Sequence, residues 1–549
     1  MTDAAASADT RVDVVILGGG LAGLTLALQL RDTLPDLDVL ILERKTLPWP
    51  EAAHKVGEST VEIGAHYFAD VLGLRQHLQE QHLPKFGFRF FCSEGRRDLD
   101  QVTEIGASHH LSVPSYQIDR GIFENFLAAE VQRRGARFVD SAAVRSVELA
   151  DDESAHGVTY VTADERRHVR ARWVVDASGR AGLIKRKLDL AEGNDHEAHA
   201  VWFRISDRIT IDDWVDDEDW QARCNPRSRW LSTNHLVGEG YWVWLIPLSS
   251  GSHSVGIVAD SARHPLATMD SFPRAMEWLR EHQPRLFDDL DGKRDRLQDF
   301  AYRKRFSYGC KQVFSAHRWA LTGEAGLFLD PFYSPGSDFI AIGNTYITEL
   351  VERDWRGEPL RRHAQTFDQL YRSFYRSTLA LYTHQYPIFG DPEVLPVKVI
   401  WDYTYYWGIL AQLFFHRRLA DLDALAELRG ELAHCQRLNE ATQTYLRQWS
   451  TQSTRDNPAV MHDQASLPWF AELNRSLNDE LDDDAFARRI RASHQQLCEL
   501  AREIRATSTE RYPHLDTHAL RAALAEWGDR VASANTAHQS LLPGRQAAQ

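Results

Sequence analysis

The chain has 549 residues, more than one hydrophobic core accommodates, so two or three structural units are expected. Its formal net charge of -15 argues against nucleic acid or an anionic membrane surface as a partner, because both carry the same sign. The five cysteines (Cys92, Cys224, Cys310, Cys435 and Cys498) lie far apart with no C-x-x-C, which suits reduced thiols in a cytoplasmic protein and offers neither a disulfide frame nor a metal site.

In chain order, "RVDVVILGGGLAGLTLALQL" (residues 11–30) reads as a buried strand, a glycine turn and a helix, and "LDVLILE" adds a second strand ending in Glu43. Residues 14–30 carry no charge, but the glycines interrupt them, so this is strand plus helix and no membrane span. Between about 85 and 175, short apolar strands accompany one clear helix, "RGIFENFLAAEVQRRG", closed by a glycine. From 199 to 260 the strands "AVWFRI", "YWVWLIP" and "HSVGIVA", with turn residues between them, predict an antiparallel sheet inserted into the α/β unit. "RWALTGEAGLFLDP" returns to the first unit, and the chain is mostly helical from about 361. There "WDYTYYWG" (401–408) puts rings on every side of a helix, as core or dimer packing requires, or a channel for a bulky apolar substrate. The expected fold class is α/β: a Rossmann-like module over 11–355 with a sheet insertion at about 195–310, a helical region over 356–535, and frayed ends at 1–10 and 536–549.

Gly18, Gly20 and Gly23 form a G-x-G-x-x-G turn between strand and helix, with Leu21 and Ala22 opening the helix whose N-terminus faces a pyrophosphate. Glu43, followed by Arg44, stands where an acidic residue holds a ribose hydroxyl. Further on, "VVDASGR" (174–180) and "LTGEAGLFLDP" (321–331) resemble the second and third flavin motifs of the flavoprotein monooxygenase superfamily, which implies FAD. The resemblance extends the cofactor contacts to Asp176, Ala177, Ser178, Gly179, Gly323, Phe328, Asp330 and Pro331, and to Glu324, where aspartate is usual. Arg120, after "YQIDR", resembles a superfamily arginine near the cofactor; His54 and Lys55 are further candidates for the flavin side.

Within that superfamily the chain resembles the flavin-dependent halogenases of the tryptophan halogenase-like branch. "VGES" (Val56, Gly57, Glu58, Ser59) matches the segment beside the flavin ring, and "WVWLIP" places Trp242, Trp244, Ile246 and Pro247 in the W-x-W-x-I-P pattern, a wall or tunnel between flavin and substrate. "LPKFGFRF" puts Lys85 at the family's active-site lysine. "DPFYSPG" matches the halide loop, so Ser334, Pro335, Gly336 and Ser337 are the halide candidates, ahead of a helix expected to begin after Gly336. Pro335 has no N–H to give, so half of the usual pair of amide donors is missing. Tyr333 stands where tryptophan halogenases carry glutamate, which argues against free tryptophan as substrate.

The resemblance implies reduced FAD delivered by a separate flavin reductase, O2, and chloride or bromide. Hypohalous acid would be relayed by Lys85 to an electron-rich aromatic or polyene, as a small molecule or tethered to a carrier protein, and the enzyme could form oligomers. The rival reading, supported by Pro335, is a non-halogenating FAD oxidoreductase, either a hydroxylase or one resembling geranylgeranyl reductases. A flavin-binding protein without turnover is the third.

Overall fold

The computed structural model describes residues 10–50, 56–163, 165–527 and 540–542. The ends expected to fray lie outside the described residues, apart from Thr10, which begins a strand, and 540–542; His54 and Lys55 also lie outside them. Packing divides the chain into two units, the first built from residues up to 81, 118–194 and 307–375, the second from 82–117, 195–306 and 376 onwards.

In the first unit the apolar runs become a sheet in the order Arg137–Val139, Val39–Leu42, Thr10–Leu17, Arg166–Asp176, His156–Val161 and Ala143–Glu148, with Trp319–Leu321 also paired to Arg166–Asp176. The Thr10–Leu17, Val39–Leu42, Arg137–Val139, Arg166–Asp176 and Trp319–Leu321 pairings are parallel, and buried helices flank them, so these strands read as near-continuous apolar runs. Register sets Leu17 opposite both Asp176 and Leu42, and Asp176 opposite Leu321. Four strands therefore end at one level, and the turn after each carries one of the motifs. In open α/β sheets that edge is where ligands bind.

The second unit is built on an eight-stranded sheet in the order Leu297–Arg303, Ala198–Ile205, His253–Asp260, Tyr241–Pro247, Thr233–Gly238, Phe88–Phe91, Glu104–Gly106 and Met461–Asp463. Five strands come from the expected insertion and pair antiparallel. The other three come from outside it, and two of their pairings, Thr233–Gly238 with Phe88–Phe91 and Glu104–Gly106 with Met461–Asp463, are parallel. Strands of three or four residues are too short to show a period, which is why a strand inside the helical region escapes a sequence reading.

Alternation assigns each strand residue a face. Tyr241, Val243 and Leu245 join Val201, Phe203, Val255 and Ile257 in one buried core, covered by the helices Phe272–His282 and Pro284–Asp291. Trp242 and Trp244 occupy the opposite face, with ring centroids 5.7 Å apart. The aromatic run at 401–408 lies in the helix Leu395–Tyr405 and the π-turn that follows it. Trp401 and Trp407 are fully buried, and Trp401 Nε1 donates to Asn439 Oδ1 at 2.9 Å, so these rings are core. Among the described residues no helix is long and apolar enough to cross a membrane.

Candidate functional site

The glycine turn in the first unit is dictated by close approach. Gly18 has φ +113°, and a Cβ there would lie 2.4 Å from the Ala177 carbonyl oxygen; at Gly23 it would lie 2.1 Å from the Gly18 oxygen. Both positions exclude side chains because strand, helix and the turn after Asp176 converge. At Gly20 a Cβ would meet nothing within 4 Å, so the open side of the turn is the one facing away from the protein. Gly20 also caps the helix Leu21–Thr33 without any side-chain hydrogen bond, and its first turn holds no acidic residue. An uncapped helix start beside an open turn is an anion cradle. Glu43 braces it: one carboxylate oxygen accepts from the Gly19 amide and the other from the Lys45 amide, each at 2.8 Å. Arg44 beside it is exposed.

The remaining cofactor candidates are placed by interactions inside the same unit. Arg120 pairs with Glu124 one turn along its helix and donates to the Val56 carbonyl at 2.7 Å, while Gly57 at φ +86° leaves room for the guanidinium. The buried Glu58 and Ser59 follow, and the Ile118 amide donates to the Glu58 carbonyl at 2.5 Å. Asp176 is spent locally. Its carboxylate accepts from the Ser178 amide and hydroxyl and, at 2.7 Å, from the Ile184 amide, and burial raises its pKa despite those bonds. Gly179 then takes φ +60°. Gly323, at φ +59°, closes on Ala22. Glu324 pairs with Arg180 at 2.8 Å, both about a third exposed, so this glutamate engages an arginine of the neighbouring motif.

Residues 328–339 are held at both ends. Phe328 exchanges two backbone hydrogen bonds with Tyr308, at 2.9 and 3.1 Å, and the Arg180 guanidinium lies 5.1 Å from its ring centroid. Asp330 is buried and accepts from the Phe332 amide, while the Ser334 amide donates to the Pro331 carbonyl. The helix Gly336–Trp355 starts at Gly336, one residue earlier than expected, with Pro335 as its cap and no side-chain cap bond. Among the described residues no acceptor meets the amides of Gly336 and Ser337, and the buried Ser337 Oγ has no partner. Gly336 is exposed, with open space where a Cβ would project.

Two residues that sequence reasoning missed act here, Asn344 on this helix and Lys185 on the turn at Gly326. Asn344 Oδ1 accepts from Thr322 Oγ1 at 2.7 Å, and its Nδ2 donates to the Ala22 carbonyl, Thr25 Oγ1 and Tyr67 Oη at 3.1–3.2 Å. One buried amide thus links the helix that begins at Gly336, the helix behind the glycine turn and the turn after Leu321. Lys185 Nζ donates to the Gly326 carbonyl at 2.9 Å and sits over the Tyr308 ring, and burial lowers its pKa. Only a polar residue inside an apolar helical stretch hints at Asn344, and nothing marks Lys185.

In the second unit Lys85 follows the short strand Leu83–Pro84 and is 4% exposed. Its ammonium lies 3.4 Å from the centre of the Phe88 ring, a cation–π contact that partly replaces lost hydration. Rings continue from Phe88 through His235 at 5.4 Å to Trp242 at 5.3 Å and Trp244 at 5.7 Å. The structure thus brings the candidate lysine and the tryptophan strand onto one ladder of rings, and His235 is the link the sequence did not announce. Trp242 Nε1 donates to Tyr386 Oη at 3.2 Å and Trp244 Nε1 to Ser254 Oγ at 3.1 Å. The Trp244 ring lies flat on Gly256, where a Cβ would be 2.1 Å from it. Ile246 and Pro247 finish this buried strand.

Residues 11–262 match the family model described as "FAD binding domain". The chain is 26% identical over 428 residues to the flavin-dependent halogenase chlA of Dictyostelium discoideum, covering 72% of this chain and 70% of that one. It is 26% identical over 353 residues to the 1H-pyrrole-2-carbonyl-[peptidyl-carrier protein] chlorinase of Pseudomonas fluorescens, covering 60% and 73%. The solved structure of halogenase PltM in complex with phloroglucinol and FAD superposes with a TM-score of 0.63 at 18% identity, over 90% of this chain and 96% of that one. The chain is thus similar to flavin-dependent halogenases in both sequence and fold.

The α/β fold class and an FAD cofactor follow from these matches. The residues present fit FAD: the open, uncapped glycine turn suits a pyrophosphate, and Glu43 stands beside it with a half-buried carboxylate. The relatives reported are halogenases, so the hydroxylase or reductase reading is not retained.

Proposed function

We propose that this protein is a halogenase that uses reduced FAD and O2 to install chloride or bromide on an electron-rich aromatic or polyene carbon, with Lys85 as the catalytic residue that delivers the halogen. The observation that carries the assignment is Lys85 itself: an ammonium 4% exposed, set against Phe88 at the head of a row of rings. Reduced FAD with O2 supplies the oxidising power that turns halide into hypohalous acid. The Lys85 ammonium donates a hydrogen bond to the oxygen of HOX. As the substrate carbon forms its bond to the halogen, the X–O bond breaks, the departing oxygen takes a proton from the ammonium and leaves as water, and the carbon loses its own proton. The ladder Phe88, His235, Trp242 and Trp244 offers π-faces against which a flat, electron-rich ring stacks.

Halide is assigned to the amides of Gly336 and Ser337 and the Ser337 hydroxyl, at the positive end of the helix Gly336–Trp355. Pro335 contributes shape and no donor, so the pair of amides used here begins one residue later than in the usual loop. A separate reductase supplies the reduced flavin. The relative from Pseudomonas fluorescens is named as a chlorinase of a carrier-bound pyrrole-2-carbonyl group, which makes a carrier-tethered aromatic the first substrate class to assay. Crystals soaked in bromide should give an anomalous peak beside the Gly336 nitrogen. An empty site at high bromide concentration would remove the halide assignment.

A further inference from the structure

The helical region of the second unit contains a cluster that the halogenation chemistry does not use. His494 and Cys498 stand one turn apart on the helix Asp483–Arg511, so both point to the same side, and His434 reaches them from the helix Arg429–Ser450. All three are buried, and one potential ligand atom from each lies within 4.8 Å of the others. His434 Nδ1 is 2.7 Å from His494 Nε2, and Cys498 Sγ is 3.7 Å from that same Nε2. The other nitrogen of His434, Nε2, is 2.8 Å from the Ala523 carbonyl oxygen, which can only accept. Nε2 therefore carries the proton, and Nδ1 presents its lone pair to the cluster. A histidine whose far nitrogen is fixed by a backbone carbonyl is the usual arrangement behind a metal ligand. The Trp527 ring closes the cluster, with centroids 5.3 Å from His434 and 4.5 Å from His494.

We propose that His434, His494 and Cys498 form a zinc site that clasps the helices Arg429–Ser450 and Asp483–Arg511 together. Two imidazoles and one thiolate are a zinc donor set, and a tetrahedral ion with Zn–N and Zn–S bonds of about 2.0–2.3 Å separates its donors by about 3.3–3.8 Å. That spacing falls inside the 2.7–4.8 Å range found here, so modest side-chain rotation seats the ion. On binding, His494 moves its ring proton from Nε2 to Nδ1, Cys498 releases its proton to solvent, and water takes the fourth position. His434 lies 60 residues before His494 and Cys498 only four after it, so the His494–Cys498 spacing alone does not announce the third ligand.

The test uses the full-length chain, stripped with a chelator and then titrated with zinc(II) or cobalt(II). The site predicts one zinc per chain, a rise in melting temperature on zinc addition, and a thiolate-to-cobalt charge-transfer band. Cys498→Ser should abolish the band and weaken zinc by more than the roughly 10–100-fold that loss of an outer-shell support costs, while Cys435→Ala keeps both. If Cys498→Ser fails to fold, the cobalt spectrum of the native chain decides alone. A native chain that shows no thiolate band at saturating cobalt, or that holds no more zinc than Cys498→Ser, overturns the site.

Discussion

An ammonium withdrawn from water needs a partner that replaces its hydration, and a buried lysine is retained where that cost serves chemistry. For Lys85 the ring of Phe88 is one such partner. Lys85→Ala is expected to lower halogenated product by roughly 10²-fold or more with FAD retention unchanged, as read by mass spectrometry and flavin absorbance. Wild-type product yield from that variant would take Lys85 out of the mechanism. Pro335 makes the opposite kind of prediction. Its φ of -73° suits any residue at a helix cap, so Pro335→Ala restores an amide donor without strain. A hydrogen bond to a charged group contributes about 1.5–3 kcal/mol, so bromide affinity should rise about tenfold or more, measured by titration. Unchanged affinity would place the halide elsewhere. Both residues were legible in the sequence because each sits in a contiguous motif whose chemistry depends on residue type. His235 was not, because its place in the ladder of rings comes from strand pairing.

At the scale of elements, the helix Gly336–Trp355 can present its N-terminus to an anion only if its position is fixed, and Asn344 is the buried side chain that ties it to its neighbours. Asn344→Leu leaves the hydroxyl of Thr322 and the carbonyl of Ala22 without this partner. It should cost about 2–4 kcal/mol in urea unfolding and lower FAD retention. Stability within error of wild type would show the network to be dispensable. In the strand His253–Asp260, burial, with Arg208 and Lys293 nearby, pulls His253 down to about 3. Its Nδ1 accepts from the Ile209 amide, so the folded ring is neutral, while in the unfolded chain it binds a proton near its ordinary 6.5. The unfolded state thus binds more protons between pH 6.5 and 3. The contribution is complete above pH 6.5 and falls by about 1.4 kcal/mol per pH unit as the pH drops through that window. Melting temperature should decline from pH 7 to pH 5, and His253→Asn should flatten the decline; equal slopes would contradict the assignment. The strands and helices near the glycine turn were legible from apolar periodicity. Met461–Asp463 was not, since three residues carry no period.

Across the whole molecule, the sequence read as one long module followed by a helical region, whereas packing groups it into two discontinuous units. Contiguity misleads here because residues 82–117 leave the first unit early to supply Lys85 and two strands to the sheet of the second. What the sequence carries well is the set of turns at the carboxyl ends of the parallel strands, where glycine geometry and acidic side chains meet requirements that few other residues satisfy. What it carries poorly is everything assembled by tertiary pairing, namely the Asn344 hub, the Arg180–Glu324 pair and the His434, His494 and Cys498 cluster.

The proposed reaction converts bromide or chloride into a carbon–halogen bond. It is tested most directly by supplying reduced FAD through a flavin reductase, in air, with bromide and a series of free and carrier-tethered phenols and pyrroles, and reading the products by mass spectrometry. The expected result is a monobrominated product, with its isotope doublet, that requires bromide and disappears in Lys85→Ala. Reduced flavin consumed by the native enzyme with only hydroxylated or unmodified substrate, across that series, would contradict it.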